Sequence, residues 1–263
     1  MWCLFSDDDD VLWLNNNNEP WEDVISKWKK TFRLRRRHTN SSTVHDFLEN
    51  WSILKSDRGH VLINSDFEEL FKEKSLNFHK NWHDFFQKLL IAKKGQINNK
   101  NALSLIETLS AITDEDKRIP VQISLLAYLI PPKGRLSRTV KYSSTEATEG
   151  IIVQTDTAGD IDKKIQEQKS KNLARKLSVQ PYVLLQGSLH NFTCLYMVID
   201  DIKYVFDCAS KAFDLLFKMY HVFHVRYPNA SEYLYLTIQR KVYGIVTKYD
   251  RVPPHVVEIL NMK

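Results

Sequence analysis

The chain has 263 residues, 43% of them hydrophobic and 26% charged, with 37 Lys and Arg against 32 Asp and Glu. That is the composition of a globular protein with enough apolar material for one large core or two smaller ones. With only 7 Gly and 8 Pro it is neither collagenous nor of low complexity, and no run approaches the roughly 20 apolar residues of a membrane-spanning helix.

Residues 1–20 pair an acidic run, Asp7 to Asp10, with Asn15 to Asn18 around Val11, Leu12, Trp13 and Leu14. This predicts a flexible or weakly docked tail. The start has neither the basic flank nor the apolar run of a secretion signal, so the expected compartment is nuclear or cytoplasmic. Three cysteines, Cys3, Cys194 and Cys208, form no CxxC pair and read as reduced thiols, without a disulfide.

After Pro20, Trp21, Val24, Ile25, Trp28 and Phe32, joined by Arg35 through its stem, recur at helical spacing, with cations on the remaining faces. Lys27, Lys29, Lys30, Arg33, Arg35, Arg36 and Arg37 give the segment from Trp21 to His38 a charge of +5, the same as the whole chain, so the basic patch is local. Ser41 to Thr43 is a predicted N-cap for a helix over His45 to Trp51, and Ser65-Asp66 for one that includes Phe67, Leu70 and Phe71. Further helices are predicted at Phe78 to Ala92, Ala102 to Ile112 and Val121 to Leu129.

Pro131-Pro132-Lys133-Gly134 stops this pattern, and residues 131–150 read as a linker or exposed loop. Beyond it, Ile151 to Val153 is strand-like and Asp160 to Leu177 a charged helix. Tyr182 to Leu185, Phe192 to Ile199 and Lys203 to Phe206 are predicted strands, parted by Gly187-Ser188 and Asp200-Asp201. Ser210 to Met219 reads as a helix, Tyr220 to Val225 as another strand, Ala230 to Val246 as a buried helix, and a short helix follows Pro253-Pro254. The predicted fold class is α+β: a helical N-terminal half (21–130), then a small, mainly antiparallel sheet covered by helices (151–263).

The seven cations of the basic helix are the candidate nucleic-acid-binding residues. Clustered Lys and Arg neutralise phosphates with release of counterions, and neighbouring aromatics stack or insert. The same cluster suits a nuclear import signal, an anionic membrane, a protein partner or a plain solvated face. Cys194, Cys208, His221 and His224 are metal-capable but lack the closely spaced pairs of a structural zinc site, so no metal is predicted. Asp200, Asp201 and Asp207, with Asp156 and Glu167, would serve a two-metal nuclease only if they converged; Asp200-Asp201 also suits a hairpin turn. There is no GxSxG, GxxxxGK[ST] or GxGxxG, and no cofactor is expected.

From Ser52-Ile53-Leu54 through Val61 to Phe67 and on to Trp82, and again from Gln180-Pro181-Tyr182 through Ala212 to Lys218, with Tyr227-Pro228, to Tyr243, the chain resembles a large multi-copy animal protein family of suspected mobile-element ancestry. The resemblance implies one architecture over roughly residues 50–247 and supplies no catalytic residue. The functional expectation is a non-enzymatic intracellular protein whose basic helix contacts nucleic acid or directs nuclear import. The alternatives are a metal-dependent nuclease or transposase-derived enzyme, and a scaffold for protein partners.

Overall fold

The computed structural model describes residues 6–132, 134–135, 138–175, 177–178 and 180–262. Its first half is helical: α1 (Ser6–Asn16), α2 (Trp21–Lys30), α3 (Phe32–Ser41), α4 (Val44–Asn50), α5 (Gly59–Leu70), α6 (Asn77–Lys93), α7 (Lys100–Ala111) and α8 (Glu115–Leu129). The second half contributes α9 (Ser144–Glu149), β1 (Ile152–Thr155), α10 (Ile161–Ala174), β2 (Tyr182–Ser188), β3 (Asn191–Ile199), β4 (Ile202–Phe206), α11 (Ala209–Val222), α12 (Glu232–Thr237) and α13 (Pro254–Leu260). This is the α+β class that the residue patterns predict. No helix among the described residues is long and apolar enough to cross a membrane.

The strands lie in the order β1-β2-β3-β4. β2, β3 and β4 form an antiparallel meander, and β1 joins parallel to β2 across the α10 crossover. Ile199 pairs with Ile202, so Asp200-Asp201 is the two-residue turn of the hairpin, with Asp200 in the left-handed region at φ 51°. Alternation divides the sheet. Val183, Leu185, Leu195, Met197, Tyr204 and Phe206 belong to the main core, whereas Val153, Tyr182, Leu184 and Val198 pack with Ile161 and Ile165 of α10.

The inner face rests on α11, which is buried along most of its length, including Asp214 and Lys218. A helix that is apolar almost all round has to be enclosed, and α5, α6, α8 and the sheet enclose it. One core runs continuously from Leu14 to Ile259. Residues 131–150, expected as a linker or exposed loop, contain α9, opened by a Ser143/Glu146 capping box, and bury Tyr142 and Ala147.

Four local expectations differ from the structure. The acidic and Asn-rich start folds as α1: Leu14 is 1% exposed, Asp10 pairs with Lys27 at 2.6 Å, and the Asn16 and Asn17 amides donate to the Leu12 and Trp13 carbonyls. Ser65-Asp66 lies inside α5 rather than at its start, because the helix begins at Gly59 and buries Leu62 and Ile63. Tyr220 to Val225 is not a strand; α11 continues to Val222, burying Met219 and Tyr220 one turn beyond Leu215 and Leu216. The single basic helix is two, α2 and α3, joined at Thr31 (φ −82°, ψ 5°), although Thr31 N still donates to Lys27 O and Arg35 N to Thr31 O.

Candidate nucleic-acid interface

Because the backbone stays nearly helical through Thr31, 100° per residue locates each cation of α2 and α3. Val24, Trp28, Thr31 and Arg35 fall within about 60° of one another, and all four are buried. Lys29, Lys30, Arg33, Arg37 and Asn40 fall within about 100° on the opposite side, and all five are exposed.

Arg35 lies on the apolar face, as its spacing predicts, but whole and not only by its stem, which removes it from the predicted phosphate contacts. It is 1% exposed: its Nε and Nη2 donate to the two carboxylate oxygens of Asp66 at 2.9 and 2.5 Å, and Nη1 donates to Thr31 Oγ1 at 2.6 Å. The guanidinium lies 3.6 Å from the Trp28 ring centre, and Trp28 Nε1 donates to Leu62 O of α5. Burial pushes Arg35 down and Asp66 up, while their mutual attraction opposes both shifts. The guanidinium keeps its proton, and both carboxylate oxygens of Asp66 accept from it. Arg35 is thus a bolt between α3 and α5, closed to any phosphate.

Arg36 and Lys27 are also engaged within the fold. Arg36 Nη1 donates to Val222 O at 2.7 Å and His221 O at 3.4 Å, satisfying carbonyls at the end of α11. Burial lowers its pKa, with the Asp66 charge opposing. Lys27, beyond its pair with Asp10, lies 5.2 Å from the Trp13 ring. Lys29, Lys30 and Arg33 have no ion pair among the described residues. Of the seven predicted contacts, Lys29, Lys30, Arg33 and Arg37 are the exposed ones, along about 12 Å of axis.

The alternative sites do not assemble. Asp200 and Asp201 sit at the hairpin tip, where His45 Nδ1 is 2.7 Å from Asp200 Oδ2 and Lys169 pairs with Asp201. Asp207 follows the opposite end of β4, about 20 Å away along the strand. Cys208 precedes α11 and His221 lies in its last turn, about 20 Å further on, while Cys194 lies on β3. Among the described residues no three metal-capable side chains gather; Cys3 lies outside them.

One cleft of about 370 Å³ opens between α9, α10, the start of β2 and residues 226–230. Its charges are largely self-compensated, by Arg175 with Glu146 at 2.8 Å and Lys171 with Glu149. Tyr182 lines it with a buried hydroxyl that has no hydrogen-bond partner among the described residues, and burial raises that phenol well above its ordinary pKa. The sequence reading missed this cleft, whose walls come from four separate segments, and missed Asp66 as the partner of Arg35.

Compared with known proteins, the chain matches no family model, no curated protein and no solved structure.

Proposed function

We propose that the protein binds nucleic acid, without catalysing a reaction, through the face of α2 and α3 that carries Lys29, Lys30, Arg33 and Arg37. The observation that carries this reading is the division of the basic segment into two faces: the Trp28–Arg35–Asp66 assembly fixes one in the core, and the other presents four cations in a row. A stripe so anchored binds phosphates without first ordering its backbone, which lowers the entropic cost of association. The lack of convergence among Asp200, Asp201 and Asp207 disfavours the metal-dependent nuclease alternative.

The test is binding of a labelled duplex and a labelled single strand over a salt series. The wild type is compared with a variant carrying K29Q, K30Q, R33Q and R37Q. The expected result is a steep fall of affinity with salt in the wild type, and in the variant a slope shallower by up to about 3.6 on the duplex, the value for four phosphate contacts. No binding by the wild type, or equal binding by the variant, overturns the proposal; in the first case the stripe is left as an import signal, a protein contact or a solvated face.

A further inference from the structure

Resting on that reading, we infer that the nucleic acid is single-stranded and that its binding surface continues from α3 across His224 to a stacking platform at Tyr249. The exposed line Arg33, Arg37, Asn40 ends at the last turn of α3. There the Asn40 side-chain oxygen accepts a hydrogen bond from His224 Nδ1 at 2.7 Å. His224 follows the end of α11 in a left-handed backbone conformation, φ 51°, which residues bearing a β-carbon seldom adopt. The Asn40 contact holds its ring there. Burial, and then the Arg36 charge, lower the pKa of His224, so at neutral pH the ring is uncharged.

The His224 ring centre is 6.1 Å from that of Tyr249, and Lys248 Nζ lies 5.1 Å from the Tyr249 ring centre. Tyr249 is 67% exposed, among the most exposed large hydrophobic side chains of the described residues. Its position is nonetheless defined. Asp250 accepts from Thr247 Oγ1 at 2.6 Å and Thr247 N at 3.2 Å, and Gln239 Nε2 ties the same carboxylate to the core at 2.9 Å. Thr247 Oγ1 in turn accepts from Tyr249 N at 3.3 Å. An aromatic ring left in water on a braced turn, with a cation beside it and a row of cations leading to it, has the two parts of a single-strand binding surface: an electrostatic track and a face for a base. A duplex keeps its bases stacked inside, so the ring has no base to take from it.

Affinities for a 20-nucleotide oligothymidylate and a 20-base-pair duplex, measured for the wild type, Y249A, Y249F and the four-Gln variant, test the inference. Loss of one base-stacking contact predicts that Y249A weakens oligothymidylate binding by about 5- to 150-fold, with the salt slope unchanged because no charge is removed. Y249F should keep the affinity, and duplex binding should be unaffected by Y249A. An exposed ring also predicts an unchanged Tm for Y249A. If the wild type binds oligothymidylate and Y249A binds it equally well, or if Y249A weakens both ligands alike, the platform is wrong while the cationic stripe stands. If the four-Gln variant binds like the wild type, or the wild type binds neither ligand, the stripe itself falls and the platform with it.

Discussion

A half-buried histidine gives the clearest consequence at the scale of single residues. His221, in the last turn of α11, packs its ring against Phe67, Phe71 and Phe217, and its Nε2 is 3.1 Å from the Tyr227 hydroxyl. Burial, opposed by Asp250 and reinforced by Arg36 and His224, lowers its pKa to about 4. Since the unfolded chain holds this proton with a pKa near 6.5, it binds more protons than the native state between pH 6.5 and about 4. Stability contributed by the neutral ring is therefore complete above pH 6.5 and is lost as pH falls toward 4, by at most about 3 kcal/mol. Urea titrations at pH 7 and pH 4 should show H221Q losing less stability than the wild type by about this amount; equal losses would mean that the ring is hydrated in solution. Arg35 and Asp66 carry the same lesson for a pair. Either one alone would be an uncompensated charge in the core, so their joint burial is a structural commitment of α3 to α5.

At the scale of elements, α11 is opened by a residue far from it in the chain. Asp116, in the first turn of α8, accepts from Ala209 N at 2.7 Å and Ser210 N at 2.9 Å, two of the donors that a helix start leaves free. Its negative charge also sits at the positive end of the α11 dipole. D116A should cost about 1 kcal/mol in urea unfolding, the usual value of a lost N-cap, whereas D116N should cost less because its side-chain oxygen still accepts. A cost of D116A indistinguishable from zero would show that water replaces the carboxylate. Such a cap cannot be read from the chain, because a cap is recognised by its neighbours in sequence and this one is 93 positions away. What was legible is what neighbours dictate: the spacing of Phe78, Trp82, Phe85, Phe86 and Leu89 marks α6, and alternation marks β2 to β4. Tyr220 to Val225 misled because aromatic and β-branched residues suit a strand and a buried helix equally. In the basic segment the spacing set Arg35 with the apolar residues, but the burial of its guanidinium depends on Asp66 in another helix, and sequence spacing carries no sign of that pairing.

The molecule as a whole is organised around α11, which is covered by the sheet of its own half and by α5, α6 and α8 from the other side of the chain's midpoint. On the first-half side, Asn64 takes a hydrogen bond from Lys218 at 3.0 Å, Arg36 caps its end, and Leu54 O accepts from Tyr204 of the sheet beneath it. Asn77 and Asn81 of α6 donate to the Tyr243 and Val242 carbonyls at 2.9 and 2.7 Å, closing the turn after α12. A second half expressed alone would expose the α11 face that α5, α6 and α8 cover and leave the buried Asp214–Lys218 pair, 2.6 Å apart, open to water. A first half expressed alone would lack the helix on which α5 and α8 rest. The expected outcome is that neither 1–150 nor 151–263 shows a cooperative urea transition by circular dichroism, while the intact chain unfolds in a single step. A sharp transition in either fragment would mean that the apparent continuity of the core hides two separately stable units. The stripe on α2 and α3 would then be free to move relative to Tyr249, and a binding surface shared between the halves requires that it is not.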